Sequence, residues 1–315
     1  MRREKMNQIT NTLLMVRPVA YRMNEETAVN NYFMQDAEMS VQEITRRAQS
    51  EFDAFVQVLR EKGVKVVVVQ DDQERDTPDS IFPNNWVSFH QSGRVAVYPM
   101  FAQNRRRERR EDVFDRLEQE GYLIKDFMDY TAAEQDGRFL EGTGSLVLDR
   151  QHRKAYCALS PRADEELVIE FCEDFEYMPI IFKAFQTVEG MRKPIYHTNV
   201  MMALGEELAI ICLDSIDDAK ERKTVVKSLK EDGKIIVNLS EKQLYQFAGN
   251  MLEVRGLFEQ KYMVMSQAAY DSLEEEQIKL IEAHAAILTA KIPTVEKLGG
   301  GSVRCMMAEV FLPRR

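Results

Sequence analysis

The chain has 315 residues, 44% hydrophobic and 30% charged, with a formal net charge of −10. That composition suits a folded protein with a sizeable core, built as one large domain or two ordinary ones. The acidic balance argues against an extended basic face for nucleic acid. No apolar run approaches the ~18 residues of a membrane span.

In chain order, Thr12 to Val16 reads as a strand stopped by Arg17-Pro18. The polar, asparagine-rich stretch Asn24 to Gln35 reads as a loop long enough to be a lid or binding loop. Helical apolar spacing from Val41 to Lys62 ends at Gly63, and the β-branched run Val64 to Val69 reads as a buried strand. A hairpin, Trp86 to Phe89 and Val95 to Pro99, precedes a helix from Arg109 to Gln119 and a strand from Tyr122 to Asp126. The same order follows twice: strands Gly144 to Leu148 and Lys154 to Ala158, helix Asp164 to Phe175, strand Tyr177 to Ala184; then strands Val200 to Leu204 and Leu208 to Cys212, helix Ala219 to Glu231, strand Lys234 to Asn238. The last round holds strands Met251 to Gly256 and Lys261 to Ser266, helix Leu273 to Ala283 and strand Ala290 to Pro293, with a closing strand Cys305 to Phe311. A hairpin-helix-strand unit of roughly 60 residues thus recurs about five times, the mark of a repeat architecture. No Gly/Ser-rich linker divides the chain, so a single domain is expected.

The segment MRREKMNQITNTLLMVRP carries charge but no long apolar stretch, so no signal peptide is expected. Cys157, Cys172, Cys212 and Cys305 show neither CxxC pairing nor a metal-ligand rhythm, which points to a reduced, cytoplasmic protein. Cys157 and Cys212 lie in strand-like runs and read as core. Cys305 follows Gly299-Gly300-Gly301 and Arg304, a setting suited to a partly exposed thiolate, although a packing role is open. No GxGxxG, GxxxxGK[ST] or GxSxG segment is present, so nucleotide-dependent chemistry and a serine nucleophile have no support.

The informative polar segments each fall in a loop before a hairpin, where equivalent loops of a closed ring of units would converge. His197, in Tyr196-His197-Thr198-Asn199, reads as a core histidine or as a proton shuttle for a nearby thiol. Glu141 precedes Gly142-Thr143-Gly144, where missing side chains permit close approach to a ligand. Asp79 opens Asp79-Ser80-Ile81-Phe82-Pro83-Asn84-Asn85-Trp86, whose paired asparagines fit Asx turns as well as ligand contacts. The arginines from Arg105 to Arg110 read mainly as a solvated loop, with one of them available to a substrate carboxylate.

Taken together and in this order, MVRPVAY, PDSIFPNNWVSFH, FLEGTGSLVLD, LSPRAD, YHTNVMMALG, FAGNML and GGGSVRCMMAEV resemble the guanidino-group-modifying superfamily, the penteins. The nearest likeness is its arginine-deiminase-related, citrulline-utilisation hydrolase type. The resemblance covers nearly the whole chain. It implies an α/β five-bladed propeller of pseudo-repeated ββαβ units and one catalytic domain over residues 1–315. It implies Cys305 as nucleophile, His197 as general acid/base and Glu141 as the carboxylate beside it. Arg162 falls where relatives hold a substrate α-carboxylate, with Arg105 as a possible second contact. Asp79 matches an acid near the site, and Asn84, Asn85 and Asn199 complete the expected substrate shell. A small amino-acid substrate is implied, with no metal or organic cofactor and no nucleic-acid or membrane partner; oligomeric state is left open, a homodimer being the base-rate expectation.

Two departures bear on substrate. Deiminases place aspartates where this chain has Asn85 and Asn199, and those aspartates hold a charged guanidinium. Two amides offer donors and acceptors without charge, which fits a neutral ureido group better. Glu-Gly-Thr-Gly in place of the commoner Glu-Gly-Gly-Asp removes a further acid. The expectation is therefore hydrolysis of citrulline to ornithine through a covalent Cys305 intermediate. Arginine deimination, arginine:amine amidino transfer and a non-catalytic ribosome-binding role are the alternatives.

Overall fold

A computed structural model describes residues 6–35 and 38–315, so the first five residues of the charged N-terminal segment lie outside it. Its strands form β1 (Thr12–Arg17), β2 (Lys65–Gln70), β3 (Val87–Phe89), β4 (Arg94–Val97), β5 (Asp126–Asp129), β6 (Leu146–Asp149), β7 (Lys154–Ala158) and β8 (Met178–Phe182). The rest are β9 (Phe185–Val188), β10 (Met191–Pro194), β11 (Met202–Leu204), β12 (Leu208–Ile211), β13 (Ile235–Asn238), β14 (Leu252–Arg255), β15 (Lys261–Ser266), β16 (Ala286–Ala290) and β17 (Ala308–Glu309).

Five three-stranded sheets share one plan: a middle strand with an antiparallel neighbour on one side and a parallel neighbour on the other. The middle strands are β1, β4, β7, β12 and β15. A parallel neighbour demands a crossover, and a helix supplies it each time, as Val41–Glu61 does between β1 and β2. In the first sheet the antiparallel partner comes from the far end of the chain, with Leu13 opposite Glu309 and Leu14 opposite Ala308. That pairing brings the segment after the glycine run back to the start of the protein.

The helix Val41–Glu61 shows how sequence sets these units. Ile44, Ala48, Phe52, Phe55, Val56 and Leu59 are buried along one stripe. The Ser40 side chain accepts from Glu43 N–H at its start, satisfying an orphan donor. The stripe packs with Val66, Leu288, Val295 and Val303, so the core beneath the helix also supports the approach to Cys305.

Several elements depart from the sequence reading. The strand expected over Tyr122 to Asp126 lies at Asp126–Asp129, because Leu123 N–H is taken by the Pro313 carbonyl and Tyr122 bridges to Arg314. The strand expected at Ala290 to Pro293 ends at Ala290, and Pro293 instead opens the helix Pro293–Gly299, where a missing N–H costs nothing. The closing strand is only Ala308–Glu309, while Cys305 sits in a turn. Gly142–Ser145 forms a helical turn rather than the start of a strand, and the hairpin β9–β10 was not foreseen.

Candidate active site

Cys305 follows the glycine run directly. Gly300 has φ +57°, and a Cβ there would collide with the Asn31 amide, so only glycine fits. Asn31 Nδ2 donates to the Gly299 carbonyl at 3.1 Å. The turn is closed by Cys305 N–H to the Ser302 carbonyl at 3.0 Å. The thiol is buried, 4% exposed, which corrects the expectation of a partly exposed sulfur. Arg304 does not supply it with charge: its guanidinium donates to the Met307 carbonyl at 2.8 Å and pairs with Glu309 at 2.7 Å. The sulfur instead meets two amides, Asn250 Nδ2 at 3.3 Å and Asn199 Nδ2 at 3.7 Å.

Glu141 and His197 form a buried pair, with Oε2 2.7 Å from Nε2. The carboxylate also accepts from Phe101 N–H at 3.0 Å, and Arg162 Nη1 lies 3.5 Å away. Burial works to raise the Glu141 carboxyl, but Arg162, His197 and Arg105 outweigh it and hold it well below the usual carboxylate range. Burial pushes the His197 imidazole down to about 4, against the pull of Glu141. The resting pair is thus a neutral imidazole donating to a carboxylate. Gly144 is the other side of this arrangement: a Cβ there would fall on Asn85 Nδ2 and 2.8 Å from His197 Nδ1.

Asp79, Asn85, Arg105, Arg162, His197 and Cys305 line one cavity, together with Thr27, Asn31 and the glycines. The cavity is only ≈10 Å³, about one water, so an amino acid enters only if its walls move. The wall with the most side chains to release is the segment predicted as a loop. Its Asn24 caps a helical turn, Glu25–Ala28, and donates to Asp79 Oδ2 at 2.7 Å. Thr27 adds a hydroxyl to the same oxygen at 3.2 Å, and the Thr27 carbonyl accepts from Arg162 Nη2 at 2.9 Å. Asn30 Oδ1 accepts from Arg162 Nε at 2.9 Å.

Arg105 is buried at 2% exposure, against the expectation of a mainly solvated cluster. It pairs with Glu108 through two bonds of 2.8 and 2.9 Å and donates to Asn85 Oδ1 at 2.8 Å. Asn85 therefore has its oxygen occupied and its Nδ2 without a partner, while Asn199 Oδ1 and Asp79 Oδ1 are also buried and unpartnered. Buried polar atoms rarely stay unpaired, and Asn85 and Asp79 line the cavity, so their free atoms mark where a ligand's polar groups would sit; Asn199 and Glu141 stand behind that lining, in contact with Cys305 and His197. Asn84 is fully buried with both amide atoms unpartnered, yet its side chain is not among those lining the cavity. His90, His152 and His284 lie elsewhere, against Ser88, Asp149 and Glu207. Cys157, Cys172 and Cys212 are buried free thiols, and burial pushes Cys157 and Cys172 well up. Asn250, in the FAGNML segment, carries no local signal that marks it as a contact of the thiol.

The family description N,N dimethylarginine dimethylhydrolase, eukaryotic, matches residues 17–312. No curated protein sequence matches the chain. Among solved structures, ArgZ, an arginine dihydrolase from the ornithine-ammonia cycle in cyanobacteria, superimposes on 96% of the chain with TM-score 0.73 and 19% identity. This chain spans 41% of the length of that protein. The N-terminal domain of ArgZ bound to substrate gives TM-score 0.70 and 18% identity over 96% of this chain and 99% of its own. A dimethylarginine dimethylaminohydrolase, as an adduct with S-methyl-L-thiocitrulline, gives 0.62 and 14% over 96% and 99%. At these identities the structures establish a shared mixed α/β fold.

Proposed function

The chain belongs to the N,N dimethylarginine dimethylhydrolase, eukaryotic family, within the guanidino-group-modifying superfamily, and from that premise we propose that it hydrolyses the ureido C–N bond of citrulline through a covalent Cys305 intermediate. Residues 1–315 act as one catalytic domain, and the five repeated sheets support a five-bladed propeller around it. The observation that carries the substrate choice is Asn85. Its oxygen is held at 2.8 Å by the Arg105 guanidinium, so a cation already stands where a deiminase needs an anion. The free Asn85 amide N–H₂ suits a ureido oxygen, and the free Asn199 oxygen suits a ureido N–H₂.

His197, neutral at rest, takes the proton of the Cys305 thiol, and Glu141 stabilises the imidazolium that forms. The thiolate adds to the ureido carbon, and Asn85 donates to the oxygen as it gains charge. The bond to the δ-nitrogen breaks, and His197 returns its proton to the leaving amine, releasing ornithine. A water, deprotonated by His197, then cleaves the S-carbamoyl enzyme to carbamate and restores the thiol. Arg162 receives the substrate α-carboxylate once Asn30 and the Thr27 carbonyl release it, since its planar fork pairs with two oxygens.

A second reading has arginine as the substrate. It is favoured by the buried, unpartnered Asp79 oxygen, which offers a counter-charge, and by ArgZ, whose description is an arginine dihydrolase. Product analysis by mass spectrometry separates the two, with citrulline, arginine, and arginine plus glycine supplied separately. Ornithine from citrulline but not from arginine is the expected result. Citrulline or ornithine from arginine, or guanidinoacetate from the mixture, overturns the ureido preference. Cys305→Ser abolishes turnover of whichever substrate reacts.

A further inference from the structure

Cys305 is a buried thiol that must become an anion without a cation in hydrogen-bond contact. The charged and titratable groups lining its cavity are Asp79, Arg105, Arg162, Tyr196 and His197, the Tyr196 hydroxyl donating to the Gly300 carbonyl at 2.7 Å. The guanidiniums of Arg105 and Arg162 are engaged by Glu108 and Glu141, and that of neighbouring Arg304 is turned to Glu309. What touches the sulfur is two amides, Asn199 Nδ2 at 3.7 Å and, closer at 3.3 Å, Asn250 Nδ2 from a distant turn. Asn250 is 2% exposed and follows Gly249, where a Cβ would strike the Val200 carbonyl and come within 2.8 Å of Met201 Cα. The turn is thereby pressed against the segment that carries His197 and Asn199.

Every polar atom of the Asn250 side chain is committed to the reaction centre. Its Oδ1 accepts from Arg304 N–H at 3.1 Å, fixing the backbone one residue before the nucleophile, and also lies 3.7 Å from Cys305 Sγ, where it accepts from the protonated thiol. Its Nδ2 donates to the Asn199 carbonyl at 3.0 Å and lies 3.3 Å from Cys305 Sγ. We propose that Asn250 is a catalytic residue of this site, whose amide N–H holds the Cys305 thiolate in place while its carbonyl oxygen locks the turn that presents it. Hydrogen bonds to an ionised sulfur favour the anion over the thiol, so the amide does the work that a cation or helix N-terminus does around other reactive cysteines.

This rests on Cys305 being the nucleophile, as above, but the test needs no substrate. Iodoacetamide alkylation of Cys305 is followed by mass spectrometry as a function of pH in the wild type, Asn250→Ala and Asn250→Asp, with Cys305→Ala as the blank. Asn250→Asp retains the oxygen that accepts from Arg304 and loses the donor facing the sulfur. The aspartate also brings a negative charge against the sulfur and raises the midpoint by repulsion alone, so the uncharged Asn250→Ala decides: a purely structural role predicts for it a lower unfolding temperature with the wild-type midpoint. The proposal predicts that both variants move the alkylation midpoint up by about one unit, with Asp moved at least as far as Ala. On any substrate the wild type turns over, kcat falls about 10- to 100-fold with KM little changed. An unmoved midpoint in Asn250→Ala overturns the proposal. Absence of turnover with a shifted midpoint leaves it standing and counts instead against the citrulline reading.

Discussion

Glu141 Oε2 stands 2.7 Å from His197 Nε2 with both side chains sealed from solvent. The bond uses one imidazole nitrogen to anchor the ring and leaves Nδ1 on the side of Gly144 and Asn85. The Arg162 guanidinium, 3.5 Å from the same oxygen, keeps the carboxylate ionised.

Glu141→Gln preserves shape but removes that charge. The imidazolium then forms without a counter-ion, and turnover falls about 10²- to 10⁴-fold. The variant also leaves Arg162 short of its buried partner, so unfolding in urea shifts to lower denaturant by the equivalent of about 3–5 kcal/mol. Full activity in Glu141→Gln would remove the carboxylate from the mechanism.

Stability falls on acidification through His197. Its native value of about 4 lies below its ordinary 6.5 because burial disfavours the cation. Between pH 6.5 and about 4 the unfolded chain binds the proton and the native chain does not, so stability rises with pH across that window. The loss on reaching its lower end approaches roughly 3 kcal/mol from this group. Glu141, also depressed, adds a loss of the same sign further down. Urea midpoints at pH 7.5, 6.0 and 5.0 measure the slope, and His197→Asn flattens it.

The pair Asn85→Asp and Asn199→Asp restores two carboxylates around the reacting carbon. The ratio of kcat/KM for arginine over citrulline rises about 10- to 100-fold, the size expected for charged in place of neutral hydrogen bonds. Steady-state kinetics on both substrates read it. No change in the ratio would show that the two asparagines do not select the head group.

Gly144→Ala tests the close approach of the two loops. The new Cβ would sit 2.8 Å from His197 Nδ1, so the ring moves. An ångström of misplacement costs about 10²-fold in turnover, while the overpacking costs about 1–3 kcal/mol. Assay and thermal unfolding together separate the two effects.

The repeated hairpin-helix-strand plan was legible in the sequence because period and burial are local properties. The Ile44 to Leu59 stripe and the Lys65–Gln70 strand follow from residue spacing alone. Where the structure departs from the local pattern, a distant segment intervenes. Residues 122–125 leave their sheet because Pro313 competes for Leu123 N–H, nearly two hundred residues away. Pro293 fits the end of a strand as well as the first turn of a helix, and only its neighbours decide between them.

The same division runs through the site. Residue types and the family resemblance were enough to nominate Cys305, His197, Glu141 and Arg162 as candidates, and to show that glycines flank two of them, because reactivity and steric allowance belong to residue types. Tertiary structure alone decided which atoms those side chains leave free. Arg105 is withdrawn into a buried pair with Glu108 and turned onto Asn85, and Arg304 faces away from the thiol it precedes. Asn250 reaches Cys305 across 55 positions of chain. A polar atom's partner is set by which loops the packed sheets bring together, and no local pattern encodes that.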